Sequence, residues 1–210
     1  MTSDPFARAD PTDDAAFYSM PRKVVHIEAG AIESLRAWYG EVLPPGGPVL
    51  DLMSSWRSHL PDGLGPVTGL GMNADEMADN PQLERWVVHD LNQQPRMPFD
   101  DASFAAAVCT VSIQYLTDPV AVLSDLRRVV APGGPVAFAF SNRCFPTKAV
   151  RRWLYATDAD HVAMVRADFD VAGFPEPADA RLPSPDDPVF VVWAPSPPLD
   201  LPRSLSPWPS

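Results

Sequence analysis

Between Val49 and Pro61 the chain reads VLDLMSSWRSHLP. A short apolar run closes around an acid, Asp51, and passes at once into the hydroxyl residues Ser54 and Ser55 before turning amphipathic. A buried first strand hands over to a helix N-terminus in this way in an open α/β sheet, where the crevice at the strand end and the backbone N–H groups receive a ligand. Loops at this place are normally glycine-rich, so that backbone can approach the ligand closely. This one has no glycine.

The stretches that follow alternate in period. Val49–Met53, Pro66–Met72, Trp86–Asp90, Phe104–Ser112 and Pro135–Ser141 read as strands. Pro119–Val130 has Val120, Leu123, Leu126 and Val129 on one helical face and runs into a Pro132-Gly133-Gly134 turn. Thr147–Thr157 and Asp158–Ala172 read as two helices, the second with a capping box from Thr157 to Asp160. Val189–Trp193 and a weaker run, Ala178–Leu182, pair as an antiparallel edge hairpin. Strands that are apolar on both faces and alternate with helices imply a mostly parallel sheet covered on both sides. The expected fold class is therefore α/β, with a Rossmann-like seven-stranded, mostly parallel sheet, an antiparallel edge hairpin and helices on both faces.

With 210 residues, 46% of them apolar, the chain suits one domain. Residues 1–14 and the Pro-rich stretch 195–210 have no period that buries a face and are expected to be disordered, which leaves 15–194 as the domain. Within it, 15–40 is a helical segment whose Tyr18, Met20, Arg22 and His26 can lie over a site as a lid. A net charge of −11 disfavours nucleic acid as a partner, and the pairs Arg127-Arg128 and Arg151-Arg152 read as solvated helix faces. No signal peptide or membrane span is visible, so a cytoplasmic protein is expected. Cys109 and Cys144 sit in no ligand spacing, so no metal is expected. Cys109 reads as a small core residue.

The ordered series VLDLM, VTGLGMN, WVVHDLN with MPFDDASF, a fourth strand closing in QYL, LSDLRRVVAPGG, and FDVAGF with DPVFVV resembles the class I S-adenosylmethionine-dependent methyltransferases of type 11. The likeness spans about Pro48 to Ala194, and RRVVAPGG and PFDDASF are its most specific pieces. It implies S-adenosylmethionine as cofactor. Asp51 resembles the acid that holds the loop and the methionine end. The loop glycines fall on Met53, Ser55 and Arg57, and Met53 and Arg57 cannot take positive φ cheaply, so another loop conformation is expected. The ribose-binding acid falls on Gly71. Met72 matches the residue packed on adenine, Asn73 can take over a ribose hydrogen bond, and Asp90, with Leu91 and Asn92 beside it, resembles the acid that accepts from the adenine amine. Ser54, Ser55 and Ser58 can donate to the cofactor carboxylate, and Trp56 offers a π-face to the sulfonium. Each of these also has a structural reading, the serines as helix caps and Trp56 as core.

Thr110 and Val111 fall where the fourth strand opens onto the methyl group. Ser112 and Gln114 fall beside an acceptor, as do Asn142 and Arg143 after the fifth strand, Arg143 suiting a carboxylate. Possible bases are His26, His59, Tyr115 and His161, none distinguished by spacing; Tyr115 and His26 are carried as the candidates, while His59 on a helix face and His161 on a turn, like His89, also read as structural. The resulting expectation is an enzyme that transfers a methyl group in line to a small molecule, in a cleft at the ends of strands 1, 2, 4 and 5. The alternative is an inactive or weakly binding S-adenosylmethionine sensor on the same fold. An NAD-type oxidoreductase is disfavoured, because no GxGxxG follows the first strand. Monomer and homodimer remain equally open from sequence.

Overall fold

The computed structural model describes residues 4–184 and 187–198. Its centre is a seven-stranded sheet in the order β3-β2-β1-β4-β5-β7-β6. These strands are β1 (Val49–Leu52), β2 (Val67–Gly71), β3 (Arg85–Val88), β4 (Ala106–Thr110), β5 (Pro135–Phe140), β6 (Ala178–Leu182) and β7 (Val189–Pro195). The first five pair in parallel, and β7 runs antiparallel between β5 and β6. The expected fold class is the one observed.

Period-2 alternation divides the strand side chains between two apolar layers. Leu50, Leu52, Ala107, Cys109, Phe138 and Val192 join one layer, which α4 (Pro119–Val129) closes with Val122, Leu123, Leu126 and Val129, and α6 (Asp158–Val171) with Val165 and Phe169. Val49, Ala106, Val108, Ala137 and Val191 join the other, under Ala31, Leu35 and Tyr39 of α2 (Ala29–Val42). Asp118 caps α4 and the Thr157–Asp160 capping box opens α6. Two further short helices are α3 (Ala74–Ala78), capped by Asn73, and α5 (Arg151–Leu154).

Five expectations are corrected. The stretch after β1 is not helical: residues 53–66 form an irregular loop. Leu60 is drawn into the second apolar layer, Asn80 donates to the Ser55 carbonyl (2.8 Å) and Gln82 to the Leu60 carbonyl (2.7 Å), so side chains satisfy backbone that a helix would satisfy itself. The N-terminus is ordered from residue 4. α1 (Asp14–Phe17) follows a segment in which Arg8 bridges Val150, and the Asp10 and Arg151 N–H groups donate across to Thr147 and Ala7. The paired arginines are not all solvated, since Arg128 ties Asp125 to the carbonyls of Met97 and Phe99, and Arg152 pairs with Asp168. At the other end, Pro195 completes β7 and Ser196 is buried, while 199–210, most of the expected tail, lies outside the described residues. β3 is also an exposed edge rather than a buried strand, with Trp86 and Val88 facing solvent.

Candidate functional site

A cleft opens at the C-terminal ends of the parallel strands. Sequence register alone carries several residues to its wall, because each strand turns out of the sheet on the same side. Asp51, Met53, Ser54, Ser55 and Trp56 come from the end of β1 and its loop. Gly71, Met72 and Asn73 come from β2, and Asp90, Leu91 and Asn92 from the turn after β3. Thr110, Val111, Ser112 and Tyr115 follow β4, and His26 enters from the segment between α1 and α2. The cleft does not include Gln114, Asn142 or Arg143. Gln114 is wholly buried and donates to the Val111 carbonyl, and Asn142 is exposed outside the wall. Arg143 is held by Asp187 (2.6 Å) and Glu28 (3.3 Å). Register put these three near the strand ends but did not fix the direction of their side chains.

The glycine-free loop takes a left-handed residue after all. Met53 has φ 55° and His59 φ 54°, and across the cleft Val111 has φ 48°. A β-branched residue in that region is strained by roughly 1–3 kcal/mol, and the strain lies at the strand end where a transferred group would sit.

Asp51 organises the loop. Its Oδ2 accepts from the hydroxyls of Ser54 (2.5 Å) and Ser58 (2.6 Å), and Asn80 donates to Ser58 (2.8 Å). Ser54 and Ser58 thus serve the acid, while Ser55 donates to Glu76 (2.5 Å). Burial pushes the Asp51 carboxyl up to about 6, with the two hydroxyl donors acting the other way. A folded value above the unfolded one, about 3.9, means that the folded state favours the protonated acid. The associated stability is present below about pH 4 and is lost as pH rises through about 6. Asp51→Asn keeps an acceptor for both serines without charge. It is expected to equal the wild type near pH 4 and to exceed it by on the order of 2 kcal/mol near pH 8, read as urea midpoints. Identical midpoints at the higher pH would show that the acid ionises there at no cost.

Gly71 is shaped by this loop. A Cβ there would drive into the Ser54 carbonyl oxygen and lie 3.1 Å from Met77 Sδ. The Ser54 N–H continues the ladder to the Leu70 carbonyl at 2.9 Å. The loop is thus laid across the end of β2 and leaves no room for a side chain at Gly71.

Several polar residues have structural duties. Asn73 lines the cleft, caps α3 through the Glu76 N–H and donates to the Tyr18 carbonyl (2.8 Å). Asp90 accepts from the Asn92 and Gln93 N–H groups through Oδ1. Asn92 links Asp14, the Tyr115 carbonyl and Thr117. Trp56 Nε1 donates to the Val24 carbonyl (3.1 Å), and its ring lies under Arg57.

The 14–28 segment closes one side of the cleft with Asp14, Tyr18, Arg22, Val24 and His26. Glu76 accepts from the Arg22 N–H (2.6 Å), so the opposite wall holds this segment by its backbone. Asp14 and Glu76 were not expected at the site, whereas His59, one of the possible bases, does line it. Glu76 carried a faint signal, three residues after the Asn73 cap. Burial lowers His26 and His59, His59 to about 4 with Arg36 and Arg57 adding to the effect, whereas Glu76 works against the shift at His26. Tyr115 is pushed up to about 12 by burial and accepts from the Phe145 N–H (2.8 Å), so it is a poor base. His89 bonds the Gln94 carbonyl and His161 that of Trp153.

The sheet order, the reversed β7 and a cleft at the parallel strand ends define a class I methyltransferase fold. Residues 63–138 match the family model described as a methyltransferase domain, type 11. By fold, the chain is similar to the class I S-adenosylmethionine-dependent methyltransferases, and the matched segment lies within that fold. Among solved structures, a SAM-dependent methyltransferase from Aquifex aeolicus superposes with a TM-score of 0.58 at 15% identity, over 86% of this chain and 96% of that one. A putative methyltransferase from Bacillus halodurans gives 0.57 at 13%, over 81% and 100%. Phosphoethanolamine N-methyltransferase 2 of Haemonchus contortus, in complex with S-adenosyl-L-methionine, gives 0.57 at 13%, over 79% and 52%. No curated protein sequence matches the chain. No helix among the described residues is long and apolar enough to cross a membrane.

Proposed function

We propose that the protein transfers a methyl group from S-adenosylmethionine to a small-molecule acceptor in this cleft. The observation that carries the reading is the meeting, on one wall, of Asp51, Met72, Asp90 and Thr110 from four successive strand ends. The chemistry of these residues fits the cofactor. Met72, Leu91 and Leu116 offer apolar surface to a purine, and Asp90 supplies an acceptor for its exocyclic amine. The loop around Asp51 and Met53 would hold the methionine end, and Thr110, Val111 and Ser112 would lie beside the methyl group. When bound, the cofactor supplies an already activated carbon, so the chain's own work is to position the acceptor and exclude water.

Calorimetry with S-adenosylhomocysteine tests the reading. Asp90→Ala is expected to weaken binding by about 10- to 100-fold, the loss of one hydrogen bond to a charged acceptor at about 1.5–3 kcal/mol. Unchanged affinity in the variant would move the purine elsewhere in the cleft. Failure of the wild type to bind the product at all would sink the reading and favour a sensor or interaction module.

A further inference from the structure

We propose that the acceptor is a planar aromatic hydroxyl compound, a phenol, bound against Phe145 and Tyr115, with His26 placed to take its hydroxyl proton. This rests on the reading of the cleft as a methyl-transfer site and names its substrate class.

The wall opposite the strand end at Thr110 to Ser112 is aromatic. Phe145 meets His26 edge-on at 4.8 Å between ring centroids and Phe17 at 6.0 Å, and it stacks near Tyr115 at 6.2 Å with an interplanar angle of 28°. Its position is fixed, since its N–H donates to Tyr115 Oη. Flat aromatic guests suit such a corner, because stacked and edge-to-face contacts are worth roughly 0.5–1.5 kcal/mol each beyond the area they bury. The Arg22 guanidinium lies 3.9 Å over the Phe17 ring and 5.8 Å from that of Phe145, which puts a cation where a phenolate oxygen gains from one.

Other acceptors fit less well. A carboxylate-bearing acceptor would want an uncommitted cation, but Arg143 is outside the cleft on Asp187, Arg22 donates to the Phe17 carbonyl, and Arg57 donates to the Trp56 carbonyl over the Trp56 ring. A cationic amine would want an uncommitted carboxylate, but Asp14 is taken by Arg8, Lys148 and Asn92, Asp51 by two serines, Asp90 by the Asn92 and Gln93 N–H groups, and Glu76 by Ser55 and the Arg22 N–H. A phenol needs only an aromatic wall and a proton acceptor.

Three imidazoles line the cleft, and His89 is engaged with the Gln94 carbonyl, which leaves His26 and His59. Burial lowers His26 and keeps it neutral at pH 7, and Glu76 on α3 offsets part of that shift. His59, from the loop after β1, is weakened to about 4 by burial and by Arg36 and Arg57. Arg22 shares the segment that carries His26 and holds the same corner. In the transfer, the hydroxyl O–H bond breaks as its proton passes to the His26 imidazole. The oxygen lone pair forms the C–O bond to the methyl carbon, and the C–S bond breaks with its electrons left on sulfur. The imidazolium then returns its proton to solvent.

4-Nitrophenol, whose phenolate absorbs in the visible, tests this without cofactor. Added at a pH where the free probe is mainly protonated, wild type is expected to raise the phenolate band saturably and to move the His26 imidazole ¹⁵N resonances to imidazolium values. His26→Gln should bind the probe within a few-fold but leave the band flat, and Phe145→Ala should weaken binding at least about tenfold. S-adenosylhomocysteine binding checks that each variant is folded, and the wild-type resonances decide the point should His26→Gln not fold. The proposal is overturned by an equal band in His26→Gln, by unmoved His26 resonances, or by cyclohexanol displacing the probe as well as phenol does. Homocysteine-product binding without probe binding overturns the substrate assignment alone. Probe binding without product binding overturns the methyl-transfer reading beneath it.

Discussion

Gly71→Asp, which installs the acid that the family resemblance leads one to expect at the end of the second strand, is expected to abolish S-adenosylhomocysteine binding and to destabilise the fold by at least about 2 kcal/mol. The side chain would have to grow into the Ser54 carbonyl and toward Met77 Sδ. Neither neighbour can yield cheaply. Ser54 is fixed through its N–H to the Leu70 carbonyl and through its hydroxyl to Asp51, and Met77 is wholly buried. Gly71→Ala carries the same clash without charge, so the two variants should fall together in urea midpoint and in calorimetric affinity. If Gly71→Asp instead binds the product more tightly than wild type, the loop adapts and the acid was merely lost. The outcome separates a rebuilt cofactor loop from a decayed one.

The sheet was legible because its signal is local and redundant. Each central strand is apolar on both faces, and the two layers can be read directly from alternate residues such as Leu50 against Val49, or Phe138 against Ala137. Strand ends then placed Asp51, Gly71, Asp90 and Thr110 on one side of the sheet without any knowledge of contacts. The loop after β1 was not legible, because its course is decided by residues far along the chain. Asn80 and Gln82 supply the donors that let Ser55 to Leu60 forgo a helix, and Leu60 gains more from the core than helical spacing offers. The same holds for the N-terminus. Asp10, Asp13 and Asp14 look solvated in isolation, yet Asp14 is buried against Arg8 and against Lys148, which lies well over a hundred residues away in sequence. No periodicity encodes a partner at that separation.

That buried network carries the second large effect, since it fixes the segment that closes the cleft. Lys148 is fully buried; its Nζ donates to the Thr12 carbonyl at 2.7 Å and lies 3.2 Å from Asp14, 3.5 Å from Asp10 and 5.0 Å from the centre of the Phe17 ring. Asp14 would be raised by its burial, but Arg8, Asn92 and Lys148 together hold it below the usual carboxylate range. Lys148→Met keeps the length of the side chain and removes the charge. Breaking one side of a buried pair costs about 3–5 kcal/mol, and Arg8 remains on Asp14, so the lower end is expected. At about 2–4 °C per kcal/mol for a domain of this size, the melting temperature should fall by roughly 6–12 °C. The functional consequence follows from place: Asp14 begins the helix that leads to Tyr18, Arg22 and His26, so hydrogen exchange should quicken over residues 8–26 and product affinity should drop. Adding Asp14→Asn should deepen the loss, because Arg8 then also loses its carboxylate partner. A variant that melts within about 2 °C of wild type with unchanged exchange would show that the lysine is solvated and the segment is held by its hydrogen bonds to Glu76, Asn73 and Trp56 alone.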